Sequence, residues 1–243
     1  RKWKVKSPVS IERNYMNQKP LALKILDLVS MLLLLAAAYL AIVVAPTEKV
    51  MGDVQRVFYF HVGTAWVALI GFVFTAVLSV IYLITKNLKW DRIQVAAVEV
   101  SVVFFLITII LGSIWARPAW NTWWTWDPRL TTAAIAELIY IAYFMLRQGI
   151  DDPDKRARFG AVYALIGGLS APITFFAIRL FRTIHPVVIA GANAEAEGNF
   201  SMSGDMLTAF FFALFAFTII FIDLFWNRIR LGEYQNEVEE RKL

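Results

Sequence analysis

The chain has 243 residues, of which 59% are hydrophobic and only 18% are charged, and its mean hydropathy is +0.59. A water-soluble domain of this size does not keep so much apolar surface inside, so the composition favours an integral membrane protein. Cysteine is absent, which excludes disulfides, thiolate metal sites and CxxC redox pairs. The net charge of +5 comes from short basic clusters between apolar runs, which is typical of a cytoplasmic charge bias rather than of nucleic-acid binding.

Six apolar runs are long enough to cross a bilayer, which takes about 20 predominantly apolar residues. In chain order they cover about residues 21–45, 62–85, 93–115, 130–146, 159–178 and 206–226. The fourth run is the shortest and contains an acid, Glu137. No internal repeat and no separate soluble domain is visible. We therefore predict a single all-α integral membrane domain over residues 1–243, a polytopic bundle of six transmembrane helices with short outer interfacial helices.

The distribution of lysine and arginine between the loops predicts the orientation of the chain. With the amino terminus inside, the cytoplasmic segments hold 17 basic residues and the outer segments hold six. The cytoplasmic segments are residues 1–20, 86–92, 147–158 and 228–243, and the outer segments are 46–61, 116–129 and 179–205. We therefore expect both termini to be cytoplasmic.

The segment before the second span carries one of only two histidines in the chain, His61. Residues 53–61 place Val54, Val57, Phe58 and His61 at the spacing of one helix face. We expect an outer interfacial helix here that leads into the second span.

The third and fourth spans are joined by a tryptophan loop, residues 116–129, with four tryptophans in nine positions. If this stretch is helical, Trp120, Trp123, Trp124 and Asp127 share one face. One or two tryptophans would be explained by anchoring at the membrane interface. Four of them so close together favour a large planar π-system as their partner.

Two residues at the end of this loop each have two interpretations. Asp127 before Pro128 is typical of an N-cap with proline at the first helical position, but its carboxylate could also belong to a binding site. Arg129 stands at the outer edge of a span, against the inside-positive bias. Its side chain could extend to the interface or pair with an acidic group.

The second histidine, His185, follows the fifth span and precedes Pro186, which disfavours helical geometry and indicates a turn. For either histidine alone, an ordinary hydrogen-bonded interface residue is the simpler interpretation. Together they are more informative, because the predicted topology puts both on the outer side beside the tryptophan loop.

Two imidazoles without thiolates make a poor zinc site, which would need a third or fourth ligand. They make a reasonable haem site, since two axial nitrogens, aromatic contact to the ring and arginines for the propionates are all available. The candidate propionate partners are Arg56, Arg117, Arg129 and Arg182. Three methionines near the same surface, which could replace one axial ligand, are Met51, Met202 and Met206.

Residues 120–131, WNTWWTWDPRLT, resemble the WWD signature of the haem-handling proteins of cytochrome c biogenesis. The chain length, the six spans and one histidine before the second span and one after the fifth resemble the CcmC family, haem exporter protein C. The resemblance covers about residues 55–226. Relatives that join haem to the apocytochrome carry the signature on larger chains with more histidines. One departure is Asn121, where we expect glycine, so the turn there is expected to differ slightly.

The resemblance implies that His61 and His185 are the axial ligands of a transiently and non-covalently bound haem b. It further implies a haem cradle made of Trp120, Trp123, Trp124, Trp126 and Asp127. It implies presentation of haem at the periplasmic face of the bacterial inner membrane and transfer to the haem chaperone CcmE. It also implies association with the transporter subunits CcmA and CcmB and with the small protein CcmD.

Two other functions stay open at this point. A b-type cytochrome subunit that passes electrons to quinone would place paired histidines inside the bundle, whereas these stand at span ends. A permease that conducts haem through its own core would use intramembrane acids, for which Glu99, Glu137 and Asp223 are candidates. Hydrogen bonding between helices is the alternative role for these acids. No nucleophile, no general base beside one and no phosphate-binding loop is apparent, so we do not expect an enzyme.

Overall fold

The computed structural model of the chain describes residues 19–49, 51–185 and 202–240, and the side chains up to residue 238. Within these ranges six long helices follow one another. They are α1 Leu21–Tyr39, which continues as a π-helical turn over Leu40–Val44, α2 Gln55–Thr85, α3 Leu88–Trp120, α4 Pro128–Gln148, α5 Pro153–Leu180 and α6 Gly204–Glu240. Each of the six is long and apolar enough to cross a membrane, which confirms the predicted six-helix membrane fold.

Short polar side chains set the starts of three helices. Asn87 accepts a hydrogen bond from the amide of Lys89 at the start of α3, and Asp152 accepts one from Lys155 at the start of α5. Asp127 caps α4 in the same way. A proline occupies the first position of α4 and of α5, where its missing N–H would have no intrahelical partner.

The central helix of the bundle is α2, which packs against α3, α5 and α6. α4 packs mainly on α5, and α1 packs on α6. Small residues allow close contact, since a Cβ added at Gly168 of α5 would lie 2.6 Å from the carbonyl oxygen of Phe72 on α2. The ring of Phe72 also stacks on that of Tyr140 from α4, with centroids 4.2 Å apart.

Ion pairs join neighbouring helices. Arg147 of α4 binds Asp91 of α3 with both guanidinium nitrogens, at 2.7 and 2.9 Å. Arg228 of α6 forms an ion pair with Glu99 of α3. In each pair the two charges are partly buried between helices, where a charged side chain without a partner would destabilise the fold.

The helix ends on the side of the two histidines differ from the prediction in two places. Residues 55–61 are the first turns of α2 itself, so they do not form a separate interfacial helix. Residues 121–127 are not helical. The described part of the chain therefore has no short outer helix, and residues 186–201 of the last outer segment lie outside it.

Candidate functional site

The two histidines lie side by side although 124 positions separate them in the chain. His61 is in the second turn of α2, and His185 lies five residues beyond the end of α5. Their ring centroids are 6.5 Å apart and the ring planes are inclined by 39°. Both side chains are half-buried. The structure thus brings together the two residues that the sequence offered as a ligand pair.

The orientation of His61 is set by α3. Its Nδ1 lies 3.0 Å from the carbonyl oxygen of Thr108. A carbonyl can only accept, so Nδ1 carries the hydrogen and donates it, which leaves the lone pair of Nε2 for a ligand. One turn further along α3, a Cβ added at Gly112 would lie 2.8 Å from Cε1 of His61. Glycine at this position therefore makes room for the imidazole.

The backbone around His185 is held by Asp127. One carboxylate oxygen of Asp127 accepts from the amide of Arg129 at 3.0 Å, and the other accepts from the amide of Ile184 at 3.0 Å. The amide of His185 itself donates to the hydroxyl oxygen of Thr183 at 3.0 Å. The capping interpretation of Asp127 is confirmed, and the same carboxylate fixes the segment that carries the second histidine.

The hypothesis of a continuous helical face from Trp120 to Asp127 is wrong. α3 ends at Trp120 because Asn121 adopts a left-handed conformation with φ of 56°. This is the conformation that a glycine would favour, and asparagine is among the side chains that tolerate it best. The Asn121 side chain also accepts a hydrogen bond from Arg117.

The tryptophans after α3 divide into two groups. The ring of Trp120 meets that of His185 edge-on at 6.2 Å and that of Trp115 at 5.3 Å. Trp123 and Trp124 line a cavity together with Trp120 and both histidines. Trp126 is 76% exposed and does not line that cavity. Its ring contacts Trp124 edge-on, with centroids 5.8 Å apart.

Two cavities meet at the histidine pair. The tryptophan-side cavity lies between α3, α4 and the tryptophan loop and has a volume of about 70 Å³. The second lies between α2 and α5, has a volume of about 550 Å³ and is called here the α2–α5 groove. The residues that line both are His61, Ala65, Leu69, Arg129 and His185. Of these two cavities, the groove has the size of a cofactor site, which typically spans 300–1,000 Å³.

The arginines are separated by the fold. Arg129 lines both cavities, and Arg179 lines the α2–α5 groove. Arg179 was not proposed from the sequence. It stands at the end of a span in a segment predicted to be outside, as Arg129 does, so the inside-positive rule could have pointed to both. Arg182 is exposed and lies with Trp126 on another part of the outer surface.

Arg56 binds the end of α1 and not the region of the two histidines. Its guanidinium donates to the carbonyl oxygens of Ala41, Ile42 and Ala45 at the end of α1, so it caps that helix. It also binds Asp53 at 3.0 Å and keeps the pKa of that carboxyl below its usual value. Arg56 lines neither cavity, so the structure does not support it as a propionate partner.

The methionines do not compete with the histidines in this structure. Met206 is buried in the apolar core, and Met51 and Met202 pack against that core. None of the three lines either cavity. No group of three or more histidines and acids capable of holding a metal ion occurs among the described residues.

Comparison with known proteins identifies the family. The profile described as "Heme exporter protein C", CcmC, matches residues 8–243. The chain belongs to this family. Membership supports a role in c-type cytochrome biogenesis.

Individual relatives agree with the family assignment. The chain is 28% identical over 211 residues to the haem exporter protein C of Bradyrhizobium diazoefficiens, covering 87% of this chain and 77% of the relative. It is 31% identical over 142 residues to the protein of that name from Escherichia coli K12, covering 58% of each. A putative cytochrome c biosynthesis ccmC-like mitochondrial protein of Marchantia polymorpha is 32% identical over 149 residues, 61% of this chain and 63% of the relative.

Proposed function

We propose that the chain binds haem between His61 and His185 and presents it at the periplasmic face of the bacterial inner membrane. The recipient is the haem chaperone CcmE, during c-type cytochrome biogenesis. The observation that carries the proposal is the spacing of the imidazoles, whose centroids are 6.5 Å apart. Two metal–imidazole bonds of about 2 Å each, with roughly 1 Å from each nitrogen to its ring centroid, need a separation of roughly 6 Å.

The charges around the pair suit a dianionic ligand. Arg129 and Arg179 both line the α2–α5 groove, and none of its lining residues in the described part of the chain is acidic. An anion placed between these two cations would be attracted to both. The propionates of haem would supply such anions. Trp120, Trp123 and Trp124 would contact the ring edge from the other side of the histidines.

The binding we propose is non-covalent and transient. The chain has no cysteine to form a thioether with haem b. The bond from Nδ1 of His61 to Thr108 leaves Nε2 to bind iron, and an imidazole–iron bond can be exchanged for one to a competing imidazole of the chaperone. The chain would thus act as a haem-delivery protein and not as an enzyme.

We extend the proposal to a complex with CcmA, CcmB and CcmD. The sequence contains no Gly-rich phosphate-binding loop, so nucleotide hydrolysis would take place on a partner. The support for this assembly is the family membership of the chain.

The packing of the intramembrane acids disfavours conduction of haem through the core. Glu99 is paired with Arg228. Asp223 accepts from Asn227, which also donates to Asp27 of α1 at 2.9 Å. Glu99 therefore joins α3 to α6, and Asp223 holds Asn227, which joins α6 to α1. Neither acid lines either cavity. Glu137 is buried on α4, and it too is absent from the lining of both cavities.

The absorption spectrum of the purified chain tests this function. With haem added, we expect a six-coordinate bis-histidine spectrum, and addition of the haem-free chaperone should remove it as haem is transferred. A five-coordinate spectrum, or a bis-histidine spectrum that the chaperone leaves unchanged, would refute the delivery role. Haem reduction coupled to a quinone would favour the b-type cytochrome instead.

A further inference from the structure

The α2–α5 groove extends far below the histidines. On α2 its wall runs from Phe58 to Val77, a rise of about 28 Å along the helix. The apolar interior of a bilayer is about 30 Å thick. The groove therefore reaches from the outer interface deep into the level of the lipid chains.

Polarity in the groove changes along its length. Its polar side chains are His61, Arg129, Arg179 and His185, and all four stand at the outer ends of their helices or beyond. Below them the wall is apolar. On α2 it follows one helical face down through Leu69, Ile70, Val73 and Phe74.

The lower part of the groove is open to the side. Ile70, Val73 and Phe176 are between 44% and 48% exposed in the bare bundle, so in a membrane they would face lipid. The two helices make close contact further in, where Gly168 lies against Ala76. One turn outward of that contact, Pro172 lines the groove and cannot donate to the carbonyl of Gly168.

We propose that the α2–α5 groove is a lateral entrance by which haem dissolved in the bilayer reaches the histidine pair. Haem has a flat apolar ring with two carboxylates at one edge, and the groove has matching chemistry, an apolar length that ends at two arginines. The ring would travel along the face of α2 between lipid and α5, with the propionates toward the outer interface. This proposal rests on the proposed haem binding and adds the route.

A second occupant of such a groove would be a helix of a partner protein. The charge distribution favours haem, because the polar end of the groove contains both candidate iron ligands together with the two cations. A partner helix would need neither. An experiment on the purified chain alone in a lipid bilayer distinguishes the two occupants, because no partner helix is then present.

Single cysteines allow the groove to be blocked after folding, because the chain has no cysteine of its own. Val73→Cys places a thiol in the groove, and Val103→Cys places one on the lipid-exposed surface of α3, outside both cavities. Each variant is reconstituted in vesicles and modified with pyrene maleimide. Vesicles loaded with ferric haem are then mixed in, and the rate at which the bis-histidine spectrum develops is measured before and after modification.

We expect modification of Val73→Cys to slow haem uptake roughly tenfold, equivalent to about 1.4 kcal/mol on the barrier, without changing the final spectrum. Modification of Val103→Cys should leave the rate unchanged. If unmodified protein takes up haem and modified Val73→Cys takes it up equally fast, the lateral route is wrong and haem delivery stands. If the unmodified protein never develops a bis-histidine spectrum, both the route and the proposed haem binding are wrong.

Discussion

His61 and Thr108 are joined by a hydrogen bond of 3.0 Å from the imidazole Nδ1 to the main-chain carbonyl oxygen. The bond crosses from α2 to α3 and fixes both the tautomer and the plane of the ring. A histidine that binds a metal almost always donates its other ring N–H to a carboxylate, a backbone carbonyl or water. The interface between α2 and α3 therefore controls how His61 faces His185.

Gly112→Ala tests this control without substituting either histidine. The added methyl group would lie 2.8 Å from Cε1 of His61, so the ring must turn and its bond to Thr108 weaken. Alanine does not disturb the helix itself, since its helix propensity exceeds that of glycine. We expect haem affinity to fall roughly 10- to 100-fold, as for other supporting residues of metal ligands, measured by haem titration of the purified protein.

Gly149→Ala is the matched control, because a Cβ there would meet nothing closer than 3.7 Å. It should bind haem like the unmodified chain. Equal affinities for the Gly112 and Gly149 variants would mean that the ring of His61 does not need this space.

His61→Ala and His185→Ala should each replace the bis-histidine spectrum with a five-coordinate or water-ligated one. One axial imidazole remains in each single variant, whereas the double variant should lose most of the haem. Free imidazole should partly restore the six-coordinate spectrum of either single variant, since it can occupy the vacated position. An unaltered bis-histidine spectrum in both single variants would place the iron elsewhere in the protein.

Asp127→Asn should weaken haem binding, because the structure uses both carboxylate oxygens as acceptors. An amide side chain has one acceptor oxygen, so either Arg129 or Ile184 loses its partner. A hydrogen bond to a charged acceptor contributes about 1.5–3 kcal/mol, and part of this loss falls on the segment that carries His185. We expect at least a roughly tenfold lower affinity in haem titrations.

Asp152→Asn provides the comparison for Asp127, since Asp152 also caps a helix that starts with proline but accepts from Lys155 alone. Asparagine caps about as well as aspartate, so this variant should bind haem normally. Similar haem affinities for the two variants would show that the tie to Ile184 is dispensable.

The orientation of the chain remains a prediction from 17 basic residues in one set of loops against six in the other. Cysteine labelling in intact cells should place Lys89 and Lys155 inside and Trp123 outside. Asn193, outside the described residues, should also be labelled from the outside. Finding Trp123 on the cytoplasmic side would overturn both the orientation and presentation at the periplasmic face.

The sequence by itself determined the six spans and the cap at Asp127. A helix that crosses a bilayer satisfies its own backbone hydrogen bonds and needs only a sufficient apolar length. A cap depends on residues next to one another in the chain. The two histidines could be assigned to one side for the same reason, because their distances from the span ends are local properties.

Only the tertiary structure decided which side chains share the site. Arg129 and Arg179 line the α2–α5 groove while Arg56 caps α1 and Arg182 faces outward, although all four stand near outer span ends. Thr108 and Gly112 support His61 from a different helix, and nothing in the apolar run of α3 marks them. Their roles depend on which helix faces meet, and lateral packing in a membrane is set by small residues and polar contacts between helices rather than by hydrophobicity.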